Sequence, residues 1–527
     1  MNKQRHYRLD VLHSWIGIII GLLIFIVSFS GILALFGDEI QTWEDPTTRI
    51  TLNDQQVPYT PLVDAFVTET KEELGEGYVI DNIFAMYPHD KSPYYFARIS
   101  AKHEDKPFKK INRHWNPNTG KIIAERGDGL SYWLVAFHRR LMLPNTLGQT
   151  IIGIAGILML LSIVGGVIIH RNMFKELFSW RTHRSLRVGW RESHNALGVW
   201  GLPFHFILAF TGAFLGIVSM LLPIVAFTAF KGDQDALLKA VFGEEPEAVG
   251  ISAPMYPLNQ ARTDVEAAHG KPVIFNTIHH WGDKNATYEI FFEEDRALII
   301  YGHSEMVGNA ESESAGKILD THYAEPDSAA GTAVSMFAPL HFGTFGGISI
   351  KIIYVLLGIS LCAMVASGLG LWLERRLYGN EGKQSKRTYE LLGRFTIGNM
   401  MGLVISSFAL FYADRLYMGP PDNRLVFTGI FFIGVWALFN TTALFIANSY
   451  TTTRLGLAIS GLLLLGLPFF DAATTEFSLL DAGHVYASGT NLVALIFGVL
   501  ILYSTKLSPK KRPSTYHDKK SQEAGHA

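Results

Sequence analysis

Eight stretches of this 527-residue chain are apolar enough to cross a membrane, at 14–36, 147–169, 196–223, 350–373, 395–413, 426–447, 455–470 and 485–505. A spanning helix needs about 20 such residues. The hydrocarbon layer offers no water to backbone groups, so each stretch must be helical and the chain must fold as a helix bundle. The seventh stretch is the shortest and the least secure. Composition fits: 48% of residues are hydrophobic and only 17% charged, against about 25% charged in soluble domains. The net charge of −2 provides no basic field for nucleic acid. The first apolar run exceeds the roughly 7–15 residues of a signal-peptide core and lacks an A-x-A-like site after it, so it reads as a retained helix.

Lysine and arginine are segregated. They cluster before the first run (Lys3, Arg5, Arg8), after the second (Arg171, Lys175, Arg181, Arg184, Arg187, Arg191), after the fourth (Arg375, Arg376, Lys383, Lys386, Arg387, Arg394) and in the tail (Lys506, Lys510, Lys511, Arg512, Lys519, Lys520). With eight helices these clusters share one side, whereas the loop at 471–483 carries Asp471, Glu476 and Asp481 and no basic residue. The positive-inside bias then places both termini in the cytoplasm. The expected layout is helix one at 1–37, an outside module at 38–146, helices two and three with a basic loop at 147–223, and a second outside module at 224–349. Helix four at 350–376, helices five to eight at 377–505 and a basic cytoplasmic tail at 506–527 follow. The first outside segment reads as a helix at 61–74 with strands such as 94–99 and a turn at 116–121. The second reads as a helix at 258–269 and a hairpin from 285–292 to 297–301.

The chain repeats itself. His13, Gly17 and Ser30-Gly31 recur at the same intervals as His194, Gly198 and Thr211-Gly212. His138 precedes Gly165 by the interval that separates His341 from Gly368. Helices one and two therefore correspond to helices three and four, as parallel repeats about an axis along the membrane normal. Such an axis lets His13 face His194 near the cytoplasmic surface and His138 face His341 near the outer one. Facing imidazoles on two helices are what a b-type haem needs for axial ligands, and the glycines leave room for a flat macrocycle. The plainer reading is that a membrane-edge histidine is a polar residue at headgroup level and that helix glycines are packing contacts.

Other residues are weaker candidates. His205 lies eleven residues beyond His194, but its repeat counterpart is Ile24; His170 ends helix two, opposite Leu373. Both are reserve ligands, since ionisable residues within a membrane are functional candidates. His484 reads as interfacial, and His279, His280 and His303 as loop histidines without the cysteines or clustered carboxylates of a metal site. Trp15, Trp200, Trp372 and Trp436 suit an aromatic belt, with Trp200 also near a cofactor position. The single cysteine, Cys362, can form neither an internal disulfide nor a metal cluster alone and reads as a small buried apolar residue. No dinucleotide fingerprint, P-loop, H-E-x-x-H or G-x-S-x-G motif is present. Electrons would have to come from quinol or from a separate cytoplasmic reductase.

At Leu12-His13-Ser14-Trp15-Ile16-Gly17, Phe137-His138-Arg139, Ser193-His194-Asn195-Ala196-Leu197-Gly198 and Leu340-His341-Phe342-Gly343 the chain resembles the PepSY-associated transmembrane family, which includes iron-uptake-linked proteins and siderophore reductases of the bacterial inner membrane. The turn Asn116-Pro117-Asn118-Thr119-Gly120 is similar to the one that closes the family's small α+β module. The resemblance spans roughly 1–376 and leaves the last four helices without a counterpart. It implies a membrane all-α bundle with two small periplasmic PepSY-like modules and two haem b groups held by His13, His138, His194 and His341. It implies reduction of a periplasmic ferric siderophore to release Fe(II). The expectation is thus a haem-dependent ferric-siderophore reductase. The rivals are a non-enzymatic accessory or sensor protein and a transporter that moves the chelate itself.

Overall fold

The computed structural model describes residues 3–170, 172–173, 175, 178, 185–233, 236–237, 247–293, 301–322, 335–379, 384–446, 449–476 and 485–507. In chain order, α1 (Lys3–Ala34) and α2 (Gly37–Glu44) precede α3 (Thr60–Leu74) and strands β1 (Val79–Met86), β2 (Tyr95–Lys102), β3 (Lys109–Trp115) and β4 (Ile122–Ile123). Then come α4 (Leu130–Arg140), α5 (Asn145–Ile169), α6 (Leu186–Trp200) and α7 (Leu202–Ala229). A second sheet segment holds α8 (Leu258–His269), β5 (Val273–His279), β6 (Thr287–Glu293), β7 (Tyr301–Val307), β8 (Ile318–His322) and α9 (Phe337–Phe342). Helices α10 (Gly347–Tyr378), α11 (Lys386–Arg415), α12 (Pro421–Phe445), α13 (Ser449–Thr474) and α14 (Val485–Leu507) complete the chain. Two compact units result: a helical unit from 1–44, 127–221 and 348–527, and a sheet unit from 45–126 and 222–347.

Seven of the described helices are long and apolar enough to cross a membrane, or eight spans with the bent pair α6–α7 counted as one. The chain is a multi-pass membrane protein. The stretch expected as one helix at 196–223 is broken at Gly201, where α6 and α7 meet at 72°. Pro203 lacks the N–H that would continue the ladder across the break, and it suits the first turn of a new helix instead. Helix α6 starts earlier than the apolar run because Ser185 caps it, its side chain accepting from the Val188 N–H. The seventh stretch is not short. Helix α13 runs 26 residues; the hydroxyls of threonines near its ends are satisfied within the helix, Thr453 on the Ser449 carbonyl at 3.0 Å and Thr474 on that of Phe470 at 2.8 Å. Asp471, expected in a loop, is buried inside this helix. Most of the residues in the basic loops and tail lie outside the described residues, as does His484.

Helices α11–α14 meet the rest of the helical unit through a buried charged network. Arg424 donates to both carboxylate oxygens of Asp414, at 3.0 and 2.5 Å, and to the Gly127 carbonyl at 2.9 Å. Arg415 donates to Asp471 at 3.0 Å and to the carbonyl of Trp43, and its guanidinium lies 4.2 Å from the Trp43 ring. Glu44 sits 3.8 Å from Arg424 and accepts from the Ser131 N–H at 2.7 Å. Two arginines thus face three carboxylates, and the surplus negative charge is relieved by a proton. Burial, with Asp414 adding and Arg424 opposing, lifts Glu44 from an ordinary value near 4.5 to about 8. A carboxyl raised on folding stabilises the fold at low pH and loses that contribution as pH climbs through the raised value. Melting temperature is therefore expected to fall between pH 4.5 and about 8, and Glu44→Gln to flatten that slope in a pH series of thermal melts.

The sheet unit is a single antiparallel sheet in the order β4-β3-β2-β1-β5-β6-β7-β8. The two segments expected as separate modules are joined edge to edge along β1 and β5, with Ile83 opposite Ile278 and Phe84 opposite Thr277. The join hides two strand edges that would otherwise invite aggregation. Alternation along the strands sends Ile83, Ala85, Tyr95, Ala97, Ile99, Tyr288, Ile290 and Phe292 into one core with Val63 and Phe66 of α3 and Leu258, Ala261 and Val265 of α8. Each helix start is held by the other: the Leu258 N–H donates to Thr60 Oγ1 at 2.7 Å, and the Tyr59 N–H to Asn259 Oδ1 at 2.6 Å. The predicted turn closes β3 and β4, with Gly120 at φ +70° and its N–H on the Asn116 carbonyl at 2.8 Å.

Candidate functional site

Three of the four repeat-related histidines are seated alike in the helical unit. His13 places Nδ1 2.9 Å from the Ser162 carbonyl, with the Ser162 hydroxyl at 3.0 Å. His138 places Nδ1 2.9 Å from the Val27 carbonyl, and His194 places Nδ1 2.9 Å from the Met364 carbonyl. A carbonyl can only accept, so each Nδ1 carries a proton, and the neutral tautomer this selects has its lone pair on Nε2. One turn beyond each carbonyl stands a glycine against the ring. A Cβ on Gly166 would lie 3.3 Å from His13, one on Gly31 2.9 Å from His138, and one on Gly368 3.0 Å from His194. The spacing argument matched Gly165 with Gly368; the ring contact falls to Gly166, one position later. Gly165 is buried, yet a Cβ added there meets nothing within 4 Å, and the same holds at Gly17.

The Ser/Thr-Gly marks now have a physical reason. Ser30 bonds back to the Ile26 carbonyl at 2.8 Å and Thr211 to that of Ile207 at 2.7 Å, so each hydroxyl is satisfied in an apolar layer. At Ser30 the next residue is the notch glycine under His138. His13, Val27 and Gly31 fall on one face of α1, and Leu357, Leu361, Met364 and Gly368 on one face of α10, given about 100° per residue. These faces meet in an apolar layer of Ile16, Ile20, Ile24, Ala155, Met159, Ala209 and Leu361.

The structure brings His13 and His194 together, with ring centroids 6.0 Å apart and planes at 73°. A metal bound at about 2.0–2.1 Å by one nitrogen of each ring leaves the centroids roughly 6 Å apart. His341 belongs to the sheet unit, at the end of α9 before a left-handed Gly343 (φ +64°). His170 caps α5, its N–H on the Gly166 carbonyl at 2.9 Å. His205, demoted by the repeat, is 1% exposed, and its Nε2 has no hydrogen-bond partner among the described residues.

Two histidines of the sheet unit, His279 and His269, take part in its packing. His279 pairs with Glu289 at 3.7 Å, and His269 stacks on Phe292 at 4.2 Å while bonding the Ser304 hydroxyl at 2.9 Å. Among the described residues no group of three or more His, Cys, Asp or Glu side chains is placed to hold a metal. One feature escaped the sequence reading. On the sheet face away from α3 and α8, a row of rings crosses six strands: His114, Phe96, Phe84, Phe275, Phe291 and His303, with neighbouring centroids 4.8, 6.0, 5.0, 4.4 and 5.1 Å apart. The row is continuous only because β1 pairs with β5, which no local pattern reveals. Trp15 and Trp200 are exposed, as an aromatic belt requires, whereas Trp436 packs inside and donates to the Asn399 carbonyl at 2.9 Å.

Residues 11–375 match the sequence profile of the PepSY-associated TM region. An uncharacterized protein of Pseudomonas aeruginosa is 24% identical over 380 residues, which cover 67% of this chain and 89% of that protein.

Proposed function

The chain belongs to the PepSY-associated transmembrane family, and from that premise and its histidine geometry we propose that it is an inner-membrane electron-transfer protein that reduces a ferric siderophore in the periplasm. The carrying observation is the pair His13 and His194, 6.0 Å apart across the helical unit. Each presents Nε2 because its Nδ1 is anchored on a helix carbonyl. Such anchoring fixes tautomer and ring direction and raises ligand basicity. Haem b, when bound, supplies the one-electron carrier. His13 and His194 would hold the group nearer the cytoplasm, and His138 one group nearer the periplasm. The buried gap beside Gly165 and the open position at Gly17 supply space for a flat macrocycle, and the apolar layer between the levels keeps water out. Donor electrons would enter from quinol or a cytoplasmic reductase. The ring row of the sheet unit would meet the organic part of the chelate, since aromatic faces stack on aryl groups. Oxygen donors favour the harder Fe(III), so reduction to Fe(II) weakens the chelate and frees the metal.

Purified protein is expected to show a Soret band, a reducible α-band and two haems per chain by pyridine haemochrome. Ferric siderophore should reoxidise the reduced protein, with Fe(II) captured by a ferrous-specific chelator. Folded protein without a Soret band sinks the proposal. The bend at Gly201 favours a second reading, a transporter, because broken helices form substrate sites in such proteins. Uptake of labelled chelate into proteoliposomes without any reductant would support that reading instead.

A further inference from the structure

His205 has no counterpart in the repeat, and the structure gives it the features of a ligand. It is 1% exposed, and its Nε2 is buried without a hydrogen-bond partner among the described residues. The ring is held at the backbone carbonyl of Leu357 on α10, as His194 is held by the Met364 carbonyl on the same helix face. A side chain at Gly201 would collide with the Nε2 and Cε1 atoms of His205, so the glycine that breaks the span also makes room for this ring. An orphaned imidazole nitrogen in hydrocarbon costs free energy unless something binds it.

Its depth is set by contacts. Leu357 lies seven residues before Met364, roughly 10 Å along α10. Helices α1 and α10 run antiparallel, with Gly21 against Leu369 and Ile32 against Gly358. The Leu357 carbonyl that holds His205 is therefore level with Gly31 and Ile32 of α1, and Gly31 is the notch that seats His138. Leu357 and Gly31 both lie on the inward faces defined above. By this register the rings of His205 and His138 lie at a similar depth in the helical unit, each tied through one nitrogen to a neighbouring helix, and His205 also lies close enough to His194 for their charges to interact.

We infer that His205, together with His138, would hold the second haem, in the role that the repeat assigns to His341. This rests on the haem reading above. The test uses full-length protein in detergent, with haem content, electron paramagnetic resonance and optical spectra for the wild type, His205→Ala, His205→Met and His341→Ala. The wild type should give two low-spin haems. His205→Ala should convert one of them to a high-spin species or lose it, halving haem content, and added imidazole should restore the low-spin signal. His205→Met keeps side-chain bulk in the cavity and should retain two haems, one with a shifted spectrum and a raised potential. His341→Ala should leave both low-spin signals intact. The inference is overturned if His205→Ala and His205→Met keep both wild-type signals, or if His341→Ala removes one. A wild type that binds no haem overturns the underlying reading, a result plainly different from two low-spin haems indifferent to position 205.

Discussion

The His194→Ala variant is expected to lose the haem nearer the cytoplasm, cutting haem content by about half, and to abolish electron delivery to an external ferric chelate. His13 and His194 are brought within 6.0 Å of each other, and removing one leaves the other without its facing ring. The sharper prediction concerns Gly368. A Cβ there would stand 3.0 Å from His194 Nδ1 and 3.1 Å from Cε1, so Gly368→Leu must push the ring off the Met364 carbonyl. Losing the hydrogen-bond partner that orients a metal-binding imidazole costs about 10–100-fold in metal affinity. Gly368→Leu should therefore behave like a weaker His194→Ala, with haem that dissociates on dilution. Gly198→Ala, whose Cβ meets only the flexible Met364 Sδ at 3.4 Å, should retain haem. Haem-to-protein ratios before and after gel filtration read all three. Full haem retention in Gly368→Leu would show that the notch does not orient the ligand.

What the sequence reveals here is governed by distance along the chain. Apolar runs are local, so the spans at α1, α5 and α10–α14 could be placed, though their ends were cut short where charged or hydroxyl residues continue the helix, as at Lys3 and Ser449. The break at Gly201 was also local, since Gly201 and Pro203 are both helix breakers, but a 28-residue apolar stretch hid it. Duplication exposed His13, His138, His194 and His341, because equal spacing survives in sequence. Symmetry had the opposite effect at His205, whose counterpart is Ile24: a residue used in one half alone is invisible to a repeat argument. The one-residue slip between Gly165 and Gly166 has a similar origin, since two helix pairs can keep their contacts while a loop absorbs a residue. The seam between Ile83 and Ile278, the ring row across it and the partnership of Arg424 with Asp414 depend on three-dimensional approach, and no local pattern encodes them.

Removing the Arg424 side chain should produce the largest loss of stability in the helical unit, and it should also disturb a histidine that Arg424 does not touch. Arg424 is 2% exposed and Asp414 is fully buried, so Arg424→Ala leaves a carboxylate stranded in a low-dielectric site. Breaking such a pair costs about 3–5 kcal/mol, whereas replacing both partners with apolar side chains is often neutral or stabilising. Arg424→Ala should melt well below the wild type, and the double variant Asp414→Leu with Arg424→Met should recover most of the difference. Arg424 also fastens the entry to α4. It donates to the Gly127 carbonyl at 2.9 Å, and a side chain at Gly129 would strike its guanidinium. Three residues after Gly127, α4 begins, and it lies on α12 through Trp133 and Phe432 at 4.1 Å and Phe137 and Phe432 at 5.2 Å. The helix gripped in this way carries His138 next to Phe137. The last four helices, which lie beyond the family match, thereby hold in place His138, the residue proposed to hold the second haem. Arg424→Ala is accordingly expected to weaken the second haem's low-spin signal while sparing the His13/His194 signal, read by electron paramagnetic resonance below the melting transition. Equal loss of both signals would mean that the network supports the unit only globally, and an unchanged melting temperature would show that the buried ion pair contributes nothing.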